Sequence, residues 1–329
     1  MKKLTFFVAT MIAAGVANGQ GNTQTSSSYG NSNSVTVTQT GSSSTAAVRQ
    51  NGFTGSAATG NNNKATQTQS TGSNNNASID QSNNSQTATQ TQTGSRNMAV
   101  AKQGDNIPLD GENVSTQTQN GNDNKATVNQ LSERNTASQT QSGNSNTADI
   151  LQSFSFGNKA TQTQGSSGDG FSGSNKASIT QLGATNTATQ SQLGVGNTSS
   201  AYQSGTGNTS TQNQGGALHS YYSNALVDQR GNNNQATQTQ TYDVQDAKIY
   251  QTGNGSVAIQ EQGSPVDGNS TNRAYIQQDA GLTGAADYAR QRQSGSSNDA
   301  KTYQGLSGNS SDVLQVGNSN ISLVKQNHL

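Results

Sequence analysis

Asparagine and glutamine are the residues whose recurrence could do chemistry in this chain, and they stand six positions apart. The phrase N-x-A-x-φ-x-Q, counted from its Asn as position zero and taken with its variants, in which position four is often Gln, recurs twenty-four times between Asn33 and Gln326. Amides are neither acids nor nucleophiles. Each offers two donors and an acceptor, so their chemistry is hydrogen bonding. Identical amides at a fixed interval suit ladders in which every side chain bonds to its copy in the neighbouring strand. Groups for catalysis are sparse. His219 and His328 are the only histidines and there is no cysteine, so neither a metal-ligand set nor a nucleophile–base pair can be assembled from them. No enzyme activity and no cofactor are expected. Asp287 with Arg290 and Arg292 invites a charged site, but a degenerate repeat is the preferred reading.

The elements that must position these amides are set by the period. Phrases at 135–141 (NTASQTQ), 146–152 (NTADILQ) and 158–164 (NKATQTQ) follow one another at eleven or twelve residues, and eleven is the commonest step. Longer steps, such as Gln50 to Gln69 and Gln262 to Gln278, put all their excess between phrases, where Pro108 and Pro265 also lie. Elements held constant while connections vary indicate a folded repeat. Position four alternates between Gln (Gln67, Gln90, Gln117) and aliphatic residues (Ile79, Val128, Ile150) in successive phrases, so the full unit is a pair of about 22 residues.

Charge placement identifies the element. Lys64, Lys125, Lys159 and Lys176 fall at position one, Asp149 and Lys248 at three, Arg49, Asp80 and Lys102 at five. All are odd, and Asp287 is the single charged residue at an even position. Segregation with period two is a β-strand with one buried and one solvated face. Glycines two places after the final Gln, including Gly94, Gly121 and Gly205, mark tight turns. The expected fold is all-β: a β-solenoid of two-strand rectangular coils, about twelve repeats stacked at ~4.8 Å as parallel in-register sheets. Asn63, Gln69, Asn135, Gln141, Asn158, Gln164, Asn186 and Gln192 are expected to form the inward amide ladder.

Composition limits the partners. Only 27% of the 329 residues are hydrophobic, so a single coil cannot hold itself folded and must be completed by its neighbours. Seventeen basic residues balance seventeen acidic ones, which gives no long-range field to recruit nucleic acid. Lys2 and Lys3, the apolar run 4–16 and the small residues Ala17-Asn18-Gly19 read as a secretory signal peptide over residues 1–19. No other stretch approaches membrane-spanning length, so no membrane insertion is expected. Residues 20–32 read as a short N-terminal segment, 33–326 as the repeats, and 327–329 as a tail.

The terminal repeats are the most strand-prone. Val35, Val37 and Val48 near one end, and Val313 and Val324 near the other, replace weaker residues or the mid-strand Gln. With no capping element recognisable, both ends are expected to expose unpaired strand edges, which template the addition of another copy. The residues expected to carry this self-assembly are Asn33, Val35, Val37, Gln39, Val48 and Gln50, with Asn309, Val313, Gln315, Asn320, Val324 and Gln326.

The order S/N-x-φ-x-φ-x-Q-x-G-x-x-N-x-A-x-x-x-Q resembles the curlin repeat of bacterial curli subunits. It stands here from Asn33 through Val35, Val37 and Gln39 to Gly41, and again from Asn186 through Gln192 and Gly194 to Asn197 and Gln203. The resemblance covers 33–326. It implies a secreted subunit of a functional amyloid, exported through an outer-membrane pore, started by a nucleator subunit and assembled into extracellular fibres for biofilm and adhesion. Twelve repeats against the usual five, more mid-strand Gln, and no recognisable Gly-rich export segment are departures, and they leave major subunit and minor surface nucleator as alternatives. A third reading needs no polymer. Thr66/Thr68, Thr89/Thr91, Thr116/Thr118, Thr161/Thr163 and Thr237/Thr239 form a Thr-x-Thr file that suits a monomeric solenoid binding ice or polysaccharide.

Overall fold

Every repeat phrase becomes one strand because its even positions carry amides, alanine and aliphatics while its odd positions carry Thr, Ser and charge. A computed structural model describes residues 21–51, 60–104, 111–154, 156–165, 173–215, 220–263, 271–280, 285–306 and 308–327. The expected signal peptide, both prolines, His219 and His328 lie outside the described residues. The described residues contain 25 strands, numbered β1 to β25 along the chain, and fall into two compact units, Met1–Gln141 with Ile150–Gly157 and Ser142–Asp149 with Asn158–Leu329.

In unit 1 the odd strands β1 (Thr23–Ser28), β3 (Thr45–Asn51), β5 (Asn76–Ser82), β7 (Met98–Gln103) and β9 (Lys125–Gln130) follow one another in one parallel sheet. The even strands β2 (Ser34–Gln39), β4 (Lys64–Ser70), β6 (Thr87–Thr93), β8 (Val114–Asn120) and β10 (Thr136–Ser142) form the other. The division between the units falls within β11 (Thr147–Ser153). Unit 2 repeats the scheme. Its even sheet is β12 (Lys159–Gly165), β14 (Thr187–Leu193), β16 (Thr209–Gln214), β18 (Gln235–Gln240), β20 (Val257–Gly263), β22 (Tyr288–Ser294) and β24 (Ser310–Val316). Its odd sheet is β13 (Lys176–Leu182), β15 (Thr198–Ser204), β17 (Asn224–Asn232), β19 (Asp246–Asn254), β21 (Arg273–Ala280), β23 (Asp299–Leu306) and β25 (Ile321–Gln326). Strands that pair only with the strand two along in sequence define a β-solenoid.

Register follows the phrase position for position. Ala65 lies opposite Ala88, Gln67 opposite Gln90 and Gln69 opposite Gln92. In unit 2, Ala225, Val227 and Gln229 lie opposite Ala247, Ile249 and Gln251. Even positions are buried and odd positions are exposed or half-buried in strand after strand. The interior between the sheets is therefore a layer of Ala, a layer of Gln facing aliphatics, a layer of Gln and a file of Asn.

Turns close tightly on one another. Gly94 has φ 97° and Gly205 φ 106°, and a Cβ on either would overlap the carbonyl oxygen of the glycine in the next coil, Gly121 or Gly231. Glycine is required there by the coil above as well as by its own dihedral. The turn places a second residue in the left-handed region two positions on, and Arg96 (φ 56°) and Asp123 (φ 58°) occupy it without being glycine. They pair with each other at 2.6 Å, which raises the Arg96 guanidinium and lowers the Asp123 carboxyl through their mutual hydrogen bond.

One expectation is corrected. Residues 20–32 are not merely a lead-in, because they contain β1, which pairs in parallel with β3 from Thr23 opposite Thr45 to Ser28 opposite Gln50. Val48 and Gln50 are consequently buried in the second strand of that sheet instead of lying at its edge.

Candidate functional site

The amides that sequence places inward are inward. Asn63, Gln69, Asn135, Gln141, Asn158, Gln164, Asn186 and Gln192 are all buried. Within each unit, glutamines at position six donate from Nε2 to Oε1 of their counterparts in the next coil. In unit 1 Gln39 bonds Gln69 at 2.7 Å, Gln69 bonds Gln92 at 2.8 Å and Gln92 bonds Gln119 at 2.9 Å. In unit 2 the file from Gln164 through Gln192 and Gln214 continues to Gln293 and Gln315. A parallel file runs from Gln181 to Gln304 and Gln326.

These ladders have a direction. Gln92 Nε2 also reaches across to the carbonyl of Asn76 at 3.0 Å, and Gln192 Nε2 to that of Lys176 at 2.9 Å. Only the amide nitrogen can face a carbonyl, so the facing sheet decides which end of every amide points which way. The donors therefore point toward the C-terminal side throughout each file, and aligned amides polarise one another. The asparagine file runs alongside. Asn63 N–H donates to Asn33 Oδ1 at 2.9 Å, Asn135 N–H to Asn113 Oδ1 at 2.9 Å and Asn186 N–H to Asn158 Oδ1 at 2.8 Å. Its second donor reaches the turn, as Asn158 Nδ2 does to Gly183 O at 2.7 Å.

Where the files stop, the edges differ. At the N-terminal edge of the even sheet Gln39 makes its donor bonds, and no described residue donates to its Oε1. The file at position four ends one strand later, because Val37 stands opposite Gln67 and leaves Gln67 Oε1 buried with no hydrogen-bond partner. At the C-terminal edge Gln315 Nε2 keeps its bond to Asp299 O at 3.0 Å, and Gln326 Nε2 its bond to Ser310 O at 2.9 Å. Val313 takes the place opposite Gln291 that a glutamine would otherwise hold. Both outermost even strands thus carry Val where the interior carries Gln.

Of the expected self-assembly residues, Asn33, Val35, Val37 and Gln39 sit on or beside β2, and Val313, Gln315, Asn320, Val324 and Gln326 on or beside β24 and β25. Asn309 is buried, and its Oδ1 accepts from Asn327 Nδ2 at 2.8 Å. Val48 and Gln50 lie beneath β1. Exposed apolar side chains gather at the C-terminal edge, with Leu306, Leu314, Val316, Ile321 and Leu323 all more than half exposed. β1 escaped the sequence reading because it lacks Ala, an aliphatic and the final Gln. The signal was present nonetheless: Asn22 and Ser28 stand six apart, Ser28 precedes Gln39 by eleven, and Gly30 follows Ser28 by two.

Asp287, Arg290 and Arg292 are not brought together. Asp287 points inward in an asparagine's place, and its Oδ1 accepts from Asn309 N–H at 2.8 Å. Arg290 and Arg292 point outward and pair with Glu261 at 3.0 Å and Asp312 at 3.4 Å. Tyr221 and Tyr222 lie against the turn of the previous coil, where Tyr222 N–H donates to Val195 O at 3.0 Å. A depression of about 430 Å³ on the outer even face of unit 2 is lined by Thr239, Glu261, Arg292 and Leu314, and both of its charged groups are already paired. Among the described residues no group of three or more His, Cys, Asp or Glu is placed to hold a metal ion. No family model matches this chain, and no curated protein matches it.

Proposed function

We propose that the chain is the structural subunit of an extracellular, curli-like functional amyloid fibre that grows by end-to-end stacking of solenoids. The observation that carries this reading is the one-way sense of the amide ladders. Gln315 and Gln326 bring donors to the C-terminal edge, while Gln39 brings an acceptor to the N-terminal one. Two copies in head-to-tail order bring the Gln315 donor to the Gln39 acceptor and continue that file, and copies in any other order do not. Export as a secreted protein, passage through an outer-membrane pore and start-up by a nucleator subunit belong to the same proposal and rest on the curlin resemblance.

Purified chain lacking residues 1–19 is expected to pass from soluble to fibrous after a lag that preformed seeds abolish. Fibre diffraction is expected to show a ~4.8 Å repeat along the axis. A monodisperse folded product at high concentration that ignores seeds would dismiss the reading.

A second reading, a monomeric solenoid binding ice or polysaccharide, has one observation in its favour. In unit 1 Thr36/Thr38, Thr66/Thr68, Thr89/Thr91 and Thr116/Thr118 lie in register on one outer face. Threonine is also what an exposed strand position prefers, and in unit 2 the same file turns to Ile259/Glu261 and Arg290/Arg292. Thermal hysteresis or glycan binding by a non-fibrous monomer would promote it. The minor surface nucleator is distinguished from the major subunit by the mass of fibre it contributes.

A further inference from the structure

β1 is a poor copy of the strand it replaces. Its inward residues Gln24, Ser26 and Ser28 lie opposite Ala46, Val48 and Gln50, whereas the next strands of the same sheet present Ala77-Ile79-Gln81 and Ala126-Val128-Gln130. Ser28 Oγ donates to Gln50 Oε1 at 3.1 Å, and Asn22 Oδ1 accepts from Ser44 N–H at 3.0 Å. These two bonds occupy the two acceptor and donor positions through which every interior coil is joined to the one before it. The fit is looser than in the interior, where Gln69 Nε2 crosses to Thr45 O at 3.0 Å, while Gln39 Nε2 crosses to β1 at Thr23 O at 3.4 Å.

β25 carries the groups that β1 imitates. Laid on β3 in the register of β1, it sets Gln326 on Gln50, Val324 on Val48 and Ser322 on Ala46. Gln326 Nε2 then donates where Ser28 Oγ does, and Asn320 Oδ1 accepts where Asn22 Oδ1 does. The same step lays β24 on β2, with Gln315 on Gln39 and Val313 on Val37, so the two valines that interrupt the glutamine file meet as an apolar joint. Strand order demands the exchange. Described strands that finish on an even and then an odd strand are continued by β2 and β3 of the next copy, and β1 is one odd strand too many for that place.

We infer that β1 is a built-in stopper: it holds the edge of β3 that a second copy's β25 takes, and each addition to the fibre displaces it. The inference rests on the end-to-end reading above and adds that the N-terminal edge is self-blocked until exchange. The strand that must leave is the one described strand of the odd sheet with no aliphatic residue to bury, so the exchange gains apolar burial at Val48 and a glutamine rung at Gln50.

Thr25 and Ala47 are register partners, and neighbouring strands lie ~4.8 Å apart, within reach of a disulfide. The chain has no cysteine, so the pair Thr25→Cys with Ala47→Cys forms a clean lock. In seeded growth the oxidised double variant is expected to stop elongating after its first addition, and reductant is expected to restore it. Oxidised protein growing at the reduced rate would overturn the inference. Thr25→Pro is the converse test. Thr25 shares the parity of Thr23 and Tyr29, whose N–H groups donate to Ser44 O and Gln50 O at 2.8 Å, so proline removes one rung. Seeded elongation is expected to rise up to roughly tenfold, the value of one hydrogen bond, and an unchanged or slower rate counts against the stopper. Wild-type chain that ignores its own seeds defeats the end-to-end reading itself. Wild-type fibres with a lock that changes nothing defeat only the stopper.

Discussion

The N-terminal edge of unit 1 and the C-terminal edge of unit 2 are built on one plan with opposite contents. β1 presents Thr, Gln and Ser, its last serine satisfying the glutamine beneath it. β25 presents Ile321, Leu323 and Val324 and ends on a glutamine whose axial donor points outward. In the odd sheet one edge is covered by β1 of its own chain, and the other is left apolar and donor-rich. On the proposed end-to-end assembly, two equally open ends would stick in every orientation, whereas a covered odd-sheet edge and an open donor edge would select a single order and a single exchange.

The largest test of that contrast reverses a ladder terminus. Gln326→Glu replaces the outgoing donor by a carboxylate that can only accept, facing Gln50 Oε1. Seeded elongation is expected to fall by a hundredfold or so, since an unmatched charged acceptor costs about 3 kcal/mol. Gln24→Glu, on the strand that leaves, is expected to change the rate little. Equal losses at both positions would erase the distinction between the edges. Val324→Ser gives β25 the residue β1 carries at the same place as Ser26. Burial of about two fewer carbons is expected to slow elongation roughly tenfold, read by the same kinetics.

Alkaline pH addresses the material beside the C-terminal edge. Tyr250, Tyr275 and Tyr303 stack on β19, β21 and β23 with ring centroids 5.6 and 5.3 Å apart. Burial, then the neighbouring Tyr303 and Tyr250, push the Tyr275 phenol from 10.0 up to about 12. The folded state therefore holds that proton more tightly than the unfolded chain. The stabilisation is complete below about pH 10 and is lost as pH rises toward about 12. Amide exchange is expected to accelerate in β19 to β23 before it does in β4 to β8, and a Tyr275→Phe variant is expected to postpone that loss.

The smallest effect concerns an interior flaw in unit 2. Asp287 Oδ2 is buried without a hydrogen-bond partner, at a position where asparagine donates to the next turn, as Asn186 Nδ2 does to Gly205 O at 2.9 Å. Asp287→Asn is expected to stabilise unit 2 by about 1 kcal/mol in denaturant titration, with little change in elongation, because the site is not at an edge.

Strand identity, the inward face and the parallel register at one coil's distance are readable from the chain alone. They depend on period two and period eleven, and a strand has only two faces on which Lys64 and Gln67 can be separated. The turn glycines were readable too, but for half their reason. Positive φ is a local property, whereas the carbonyl of Gly121 above Gly94 belongs to another coil. The charged trio at 287, 290 and 292 looked like one cluster in sequence, and the strand's alternation sends one member inward and two outward.

The sequence by itself determined the repeat, the buried amides and the strand-prone termini, because those follow from residue type and spacing along one strand. Only the tertiary structure decided the sense of the ladders and turned the bare spacing of Asn22, Ser28 and Gly30 into the strand β1. Amide sense is decided by which group faces Nε2, and that group is a carbonyl of the opposite sheet. β1 has no burial pattern of its own and becomes a strand only because β3 offers it an edge.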